Sequence, residues 1–210
     1  MPTLSSRLLV VTDRHQTDGR PLVPLLQRVL TAGGTTIQIR ERDLSARELV
    51  SLAREIQATP VSSRFQLLIN DRIDVALALE DVGVHLRSNS LPVTVARRLL
   101  GAGRLLGISV HTIEEAVQAE SQGADYIVLG PIYETPSKQM FGPPLGIHTL
   151  AKACRLVRIP IIGIGGVTAA RVHEMREAGA FGVAVIRAIL GSRDVESATR
   201  EFIDAMTCVQ

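Results

Sequence analysis

The stretch LLGISVHTIEEAVQAESQGADYIVL, residues 105–129, contains a whole strand–helix–strand unit. Leu105 to Val110 is a near-continuous aliphatic run, the pattern of a strand buried on both faces of a parallel sheet. Thr112 then stands three residues ahead of Glu115, the spacing of a capping box that opens a helix running to Ser121. Gly123 is placed to end that helix, since its last residue commonly adopts a left-handed conformation that glycine tolerates. Tyr126 to Leu129 begins the next strand, so the two strands run parallel, joined by a crossover helix.

The same unit recurs along the whole chain. Aliphatic runs at Leu8–Val11, Thr36–Ile39, Leu67–Ile69, Val82–Leu86, Leu105–Val110, Tyr126–Leu129, Ile161–Ile164 and Val183–Ile186 predict eight strands. Helical spacing over Pro21–Thr31, Ser45–Gln57, Asp71–Leu79, Pro92–Leu100, Thr112–Ser121, Ile147–Cys154, Thr168–Glu177 and Asp194–Met206 predicts eight helices, with a second capping box at Ser45 and Glu48. Strict alternation of this kind predicts an α/β fold, a (β/α)8 TIM barrel, as a single domain over residues 1–210. A doubly wound sheet is the rival topology. It would want a glycine-rich phosphate turn after the first strand, which Val11-Thr12-Asp13-Arg14-His15 does not supply.

Composition narrows the function classes. Lys+Arg 23 against Asp+Glu 21 leaves a net charge of +2, too balanced for the basic surface of a nucleic-acid partner. Four Phe, two Tyr and no Trp are too few for base-stacking platforms or a membrane belt, whereas aliphatic barrel layers need few aromatics. Cys154 and Cys208 cannot staple 210 residues, which suggests a reducing cytoplasm. The first apolar run is shorter than a signal sequence, and none approaches the ~18 residues of a membrane span. The expectation is a soluble, cytoplasmic protein without nucleic-acid or membrane partners; oligomeric state is left open, a homo-oligomer included.

In a barrel of this type the site is built at the carboxyl ends of the strands. Side chains alternate along a strand, so if Ile37 and Ile39 meet the helices, Gln38 and Arg40 enter the barrel mouth. The alternative is an interior hydrogen-bonded pair, with Glu41 as partner of Arg40. Ser109 and His111 share a face at the end of the fifth run, where His111 suits proton transfer near neutral pH or is structural; His85 is a weaker candidate of the same kind. Asp71, after Asn70, serves the site or caps the following helix. Gly163-Ile164-Gly165-Gly166-Val167-Thr168 and Val185-Ile186-Arg187 form a candidate phosphate site, with amides of Gly165, Gly166 and Ile186 and the guanidinium of Arg187. A tight turn needing positive φ is the alternative for those glycines. No zinc spacing occurs, since His173-Glu174-Met175-Arg176-Glu177 lacks a second His. The stretch from Pro131 to Gly146 holds four of the ten prolines and reads as a binding lid.

Taken in order, Gln38-Ile39-Arg40-Glu41, Asn70-Asp71-Arg72-Ile73-Asp74, Gly83-Val84-His85-Leu86, Gly107-Ile108-Ser109-Val110-His111, Gly123-Ala124-Asp125-Tyr126 and Gly163-Ile164-Gly165-Gly166 resemble the thiamine phosphate synthase superfamily over nearly the whole chain. That resemblance implies one of two activities. One is a synthase that joins a pyrimidine diphosphate to a thiazole phosphate with Mg²⁺; the other is a TenI-type tautomerase that aromatises a thiazole carboxylate phosphate without metal. The synthase pattern His-Leu-Gly-Gln-x-Asp, whose Asp resembles a magnesium ligand, reads here His85-Leu86-Arg87-Ser88-Asn89-Ser90. Asp71 would then be the remaining ligand. Arg42 stands for the family's Lys and Arg187 for its Ser, whereas Thr135, Ser137 and Lys138 largely keep its diphosphate motif. The Ser109–Glu120 block is closer to the tautomerase type. The resemblance therefore implies a small phosphorylated thiazole substrate and, in the reading we favour from sequence, a metal-independent tautomerase with His111 as acid/base and no cofactor. In that reading the amides of Gly165, Gly166 and Ile186 hold the phosphate, and Tyr133 and Phe141 in the lid cover the flat ring. The alternatives are the Mg²⁺-dependent synthase, with Asp71 on the metal, and a non-catalytic thiazole phosphate-binding regulator.

Overall fold

The computed structural model describes residues 2–61, 64–135 and 143–207. Its strands are β1 Leu8–Val11, β2 Thr36–Ile39, β3 Gln66–Asn70, β4 Val82–Leu86, β5 Leu106–Val110, β6 Tyr126–Leu129, β7 Ile161–Ile164 and β8 Gly182–Val185. All neighbours are parallel, and β1 pairs with both β2 and β8 to close the barrel. The helices are α1 Leu22–Thr31, α2 Ala46–Gln57, α3 Ile73–Leu77, α4 Val93–Leu100, α5 Ile113–Ser121, α6 Gly146–Leu156, α7 Ala169–Glu177, α8 Arg187–Leu190 and α9 Val195–Thr207. Every predicted run falls on a strand, as the TIM-barrel reading requires. A 3-10 turn at Arg14–Gln16 and the one-turn α8 were not predicted, because elements this short carry no periodicity.

Local chemistry explains the helix starts. Ser45 and Glu48 complete a reciprocal capping box. At α5 the Thr112 hydroxyl accepts from the Glu115 amide at 3.1 Å, but the Glu115 carboxylate reaches one residue further back, to the His111 amide at 2.6 Å. Helix α3 differs from the predicted Asp71–Leu79. It starts at Ile73 after Arg72, because Asp71 sits at φ +65° and its carboxylate turns to Arg87 instead of a helix amide. The capping alternative for Asp71 is thereby corrected.

Strand alternation sorts the core into two groups. Ile37, Ile39, Leu67, Ile69, Val82 and Val84 pack outward against the helices. Leu9, Val11, Leu68, Tyr126, Val128, Ile162 and Ala184 fill the barrel, with Leu4 and Leu105 among them. Each aliphatic side chain so buried contributes about 1.5–3 kcal/mol. An aromatic does enter the interior: Tyr126 is fully buried, and Gly107, its register partner on β5, leaves room for the ring. A Cβ at Gly107 would collide with the Tyr126 ring. Among the described residues no helix is long and apolar enough to cross a membrane.

Candidate active site

Strands β2 to β5 give the barrel a polar wall. Gln38 Nε2 donates to Asn70 Oδ1 at 3.0 Å, so these two predicted substrate contacts form an interior pair. His85 lies between two hydroxyls, Nδ1 at 2.8 Å from Tyr126 Oη and Nε2 at 2.8 Å from Ser109 Oγ. Burial pushes the His85 pKa down to about 3 and raises that of the Tyr126 phenol. Both are neutral, and the hydroxyl hydrogens rotate to satisfy either His85 tautomer. This corrects the reading of His85 as a second proton-transfer candidate: it is a satisfied group of the barrel interior, and it engages the hydroxyl of Ser109.

His111 is differently placed. At the end of β5, its Nδ1 is 2.6 Å from the carbonyl oxygen of Gly130. A carbonyl only accepts, so Nδ1 carries the hydrogen, and in the neutral ring the lone pair is on Nε2. The same residue's backbone amide donates to Glu115, which anchors the main chain that carries the ring.

Arg40 enters the mouth as parity requires. Its amide donates to Thr12 Oγ1 at 2.9 Å, and its guanidinium lies 3.5 Å from Asp13 Oδ2. Burial and the nearby Arg42 lower its pKa from the ordinary value, with Asp13 opposing them. Glu41 is not its ion-pair partner, which corrects the expectation. Glu41 continues the outward face of Ile37 and Ile39, where it accepts the Arg14 amide at 3.1 Å and the Arg14 guanidinium at 3.5 Å.

Beside this wall, a cavity of about 240 Å³ is lined by Glu41, Arg42, Asn70, Asp71, Arg72 and Arg87 together with the apolar Ile39, Leu44 and Leu49. Arg72 is tied to Asp74 at 2.8 Å. Arg87 donates through Nε to Asp71 Oδ2 at 2.7 Å, and its Nη2 reaches the same oxygen. Arg42 has no hydrogen-bond or ion-pair partner among the described residues. Burial raises the Asp71 pKa, but bonds from Ser90 and Arg87 outweigh it and hold the carboxyl below its usual range. The other Asp71 oxygen, Oδ1, is buried and unpartnered among the described residues. A larger groove of about 390 Å³ between α2 and α3 lies on the outside of the barrel, away from the polar wall.

The glycine loop after β7 approaches the loop after β6 closely. Gly165 and Gly166 adopt φ +98° and +63°, and a Cβ on Gly165 would sit 2.6 Å from Pro131 while one on Gly166 would collide with the Glu134 carbonyl. A Cβ on Gly163 would collide with Met175. Gly163 lies within β7 and is explained by its packing against Met175, whereas the tight-turn alternative accounts for Gly165 and Gly166. It does not consume their amides, since neither the Gly165 nor the Gly166 N–H finds an acceptor among the described residues. Ile186 precedes α8, and Arg187, its first residue, is exposed. Tyr133 corrects the lid reading: its hydroxyl donates to Glu174 at 2.6 Å and the Arg171 guanidinium stacks 4.4 Å over its ring, so it is pinned to α7. Thr135 is the last described residue before the loop; Ser137, Lys138, Phe141 and Cys208 lie outside the described residues.

Sequence reasoning missed the Gly130 carbonyl, the Glu115 grip on His111 and Asp13 as the Arg40 partner. The first and the last link residues from different strands or loops, for which a single sequence carries no periodic signal; the Glu115 contact is local, the capping-box carboxylate displaced by one residue from Thr112 to His111. The pairing of Tyr126 with Gly107 had a faint one, a glycine inside an otherwise aliphatic run.

The family described as thiamine monophosphate synthase matches residues 8–189. A thiamine-phosphate synthase of Moorella thermoacetica is 42% identical over 200 residues, covering 95% of each chain. One from Roseiflexus castenholzii is 41% identical, covering 93% of this chain and 86% of the relative. The solved structure of thiamine phosphate pyrophosphorylase from Pyrococcus furiosus superposes with a TM-score of 0.81 at 32% identity, covering 95% of both chains.

Proposed function

This chain belongs to the thiamine monophosphate synthase family of thiamine biosynthesis enzymes, and we propose that within it the protein is a thiamine-phosphate synthase. The reading reverses the preference for a tautomerase drawn from sequence motifs, because the similar relatives are named synthases at 41–42% identity over nearly the whole chain. The structural observation that carries it is the cavity with Arg42, Arg72 and Arg87 around Asp71 beside the polar wall, a place for a highly charged diphosphate.

In the reaction so proposed, the thiazole nitrogen attacks the methylene carbon of the pyrimidine diphosphate. The C–O bond breaks and the electron pair leaves with diphosphate. Arg42 and Arg87 take the diphosphate oxygens as charge develops on them, while Gln38, Arg40 and Asn70 border the reacting groups. The free amides of Gly165 and Gly166, with Ile186 and Arg187, hold the thiazole phosphate. The pre-set wall contributes by orientation, holding the two substrates in one geometry.

The family resemblance implies Mg²⁺, and the residues present do not fit a two-carboxylate ion. Ser90 stands where the synthase pattern has Asp, and Asp71 Oδ2 is already bonded by Arg87, so Asp71 offers only Oδ1, with Glu41 Oε1 as the other unpartnered carboxylate oxygen of the cavity residues. Among the described residues no three His, Cys, Asp or Glu side chains gather into a metal-binding group. Magnesium prefers a near-octahedral oxygen shell, and an adjoining guanidinium opposes it electrostatically.

One observation favours the tautomerase as a second reading. With Nδ1 committed to Gly130, the neutral His111 ring presents its lone pair at Nε2, suited to move a proton from ring carbon to exocyclic carbon. Supplying purified protein with both sets of substrates, with and without chelator, tests the two. Diphosphate release supports the synthase; aromatisation of thiazole carboxylate phosphate without diphosphate release overturns it.

A further inference from the structure

Arg87 stands apart from the other cavity arginines because its position depends on Asp71. That carboxylate is presented by a left-handed backbone, φ +65°, and one of its oxygens takes both the Nε and an Nη of Arg87. The guanidinium is still 46% exposed along its side chain and lines the same cavity as Arg42 and Arg72. The cavity's charge is therefore three guanidiniums against two carboxylates, Glu41 and Asp71. Arg72 is in addition neutralised by Asp74, and Glu41 spends Oε2 on Arg14 while its Oε1, like Asp71 Oδ1, is buried without a partner among the described residues. The cations left to the cavity are Arg42 and an Arg87 held in place by Asp71. Such a set repels a free divalent cation and attracts a polyanion.

A guanidinium also matches the ligand geometrically. Its planar fork donates two parallel bonds to phosphate oxygens, and a fork already oriented by a carboxylate loses less side-chain entropy on binding. Ser90 is the neutral neighbour that lowers the Asp71 pKa, at a position where a carboxylate would recruit a metal.

We propose that Arg87, oriented by Asp71, is the resident cation for the diphosphate group, so that this protein binds a diphosphate and expels it without a divalent metal ion. The inference rests on the synthase reading for its substrate, but the binding claim is separable. In the step itself no proton moves: the nitrogen–carbon bond forms, the carbon–oxygen bond breaks, and the new charge on the diphosphate oxygen is met by the Arg87 fork.

Isothermal titration of the intact protein with inorganic diphosphate, in EDTA and then in excess Mg²⁺, tests it. The expected result is binding in EDTA that Arg87→Ser weakens about tenfold or more, the loss of charge-assisted bonds, and that Arg87→Lys partly restores. The double variant Arg87→Gly/Ser90→Asp is expected to bind diphosphate only with Mg²⁺. Circular dichroism identifies any variant that has not folded, and Arg87→Lys then carries the comparison. Diphosphate binding that requires Mg²⁺ in the wild type, or that Arg87→Ser leaves unchanged, overturns the inference. If the protein turns over the two precursors while failing this test, the synthase reading stands and the role of Arg87 falls. Metal-free, Arg87-dependent binding without turnover does the reverse.

Discussion

The imidazole of His111 donates its Nδ1 hydrogen to the carbonyl oxygen of Gly130 across 2.6 Å, from the end of β5 to the end of β6. The bond selects one tautomer and leaves Nε2 as an acceptor.

That tautomer is observable. Long-range ¹H–¹⁵N correlation spectra of histidine-labelled protein at pH 8 are expected to show a protonated Nδ1 and a bare Nε2 for His111. If the tautomerase reaction is detected, His111→Asn should slow it by about 10²–10⁴-fold in a folded protein. An unchanged rate would remove His111 from that chemistry.

His85 makes stability depend on pH. Its folded pKa, about 3, lies below the ordinary 6.5, so between these values the unfolded chain binds a proton that the native barrel does not. Stability from this group is complete above pH 6.5 and is lost as pH falls toward 3. Urea midpoints should decline over that window, and His85→Gln should flatten the decline while lowering stability at pH 7 by about 1–3 kcal/mol through unsatisfied Tyr126 and Ser109 hydroxyls.

Gly107 and Tyr126 form a matched pair. Gly107→Ala should cost about 1–3 kcal/mol by overpacking, and its cost should shrink when Tyr126→Leu removes the ring. A double-mutant cycle by urea denaturation measures the coupling; strictly additive values would contradict the packing.

Gly166 tests the phosphate site. Gly166→Ala places a Cβ against the Glu134 carbonyl at φ +63°. It should raise KM for the thiazole phosphate several-fold, with kcat less affected, alongside a stability loss of about 1–3 kcal/mol. A KM equal to that of wild type would place the phosphate elsewhere.

The barrel was legible because its signal is repetitive. Runs such as Thr36–Ile39 and Ile161–Ile164 announce buried parallel strands independently of any partner, and capping pairs such as Ser45 with Glu48 are local in sequence. Parity correctly sent Gln38 and Arg40 inward. The site was legible only in its residue list. Asp71 read equally as cap or ligand until its left-handed backbone removed it from the helix, and Glu41 looked like the neighbour of Arg40 until strand alternation turned it outward to Arg14.

What the sequence determined by itself is thus everything governed by short-range periodicity: eight strand–helix units, their closure into a barrel, and which strand ends carry polar side chains. What only the tertiary structure decided is pairing across the barrel. Gly130 with His111, Asp13 with Arg40 and Asp71 with Arg87 lie between 16 and 27 residues apart. Hydrogen bonds and ion pairs act over about 3 Å, so they are set by strand register and loop geometry, and these exist only once the chain has closed on itself.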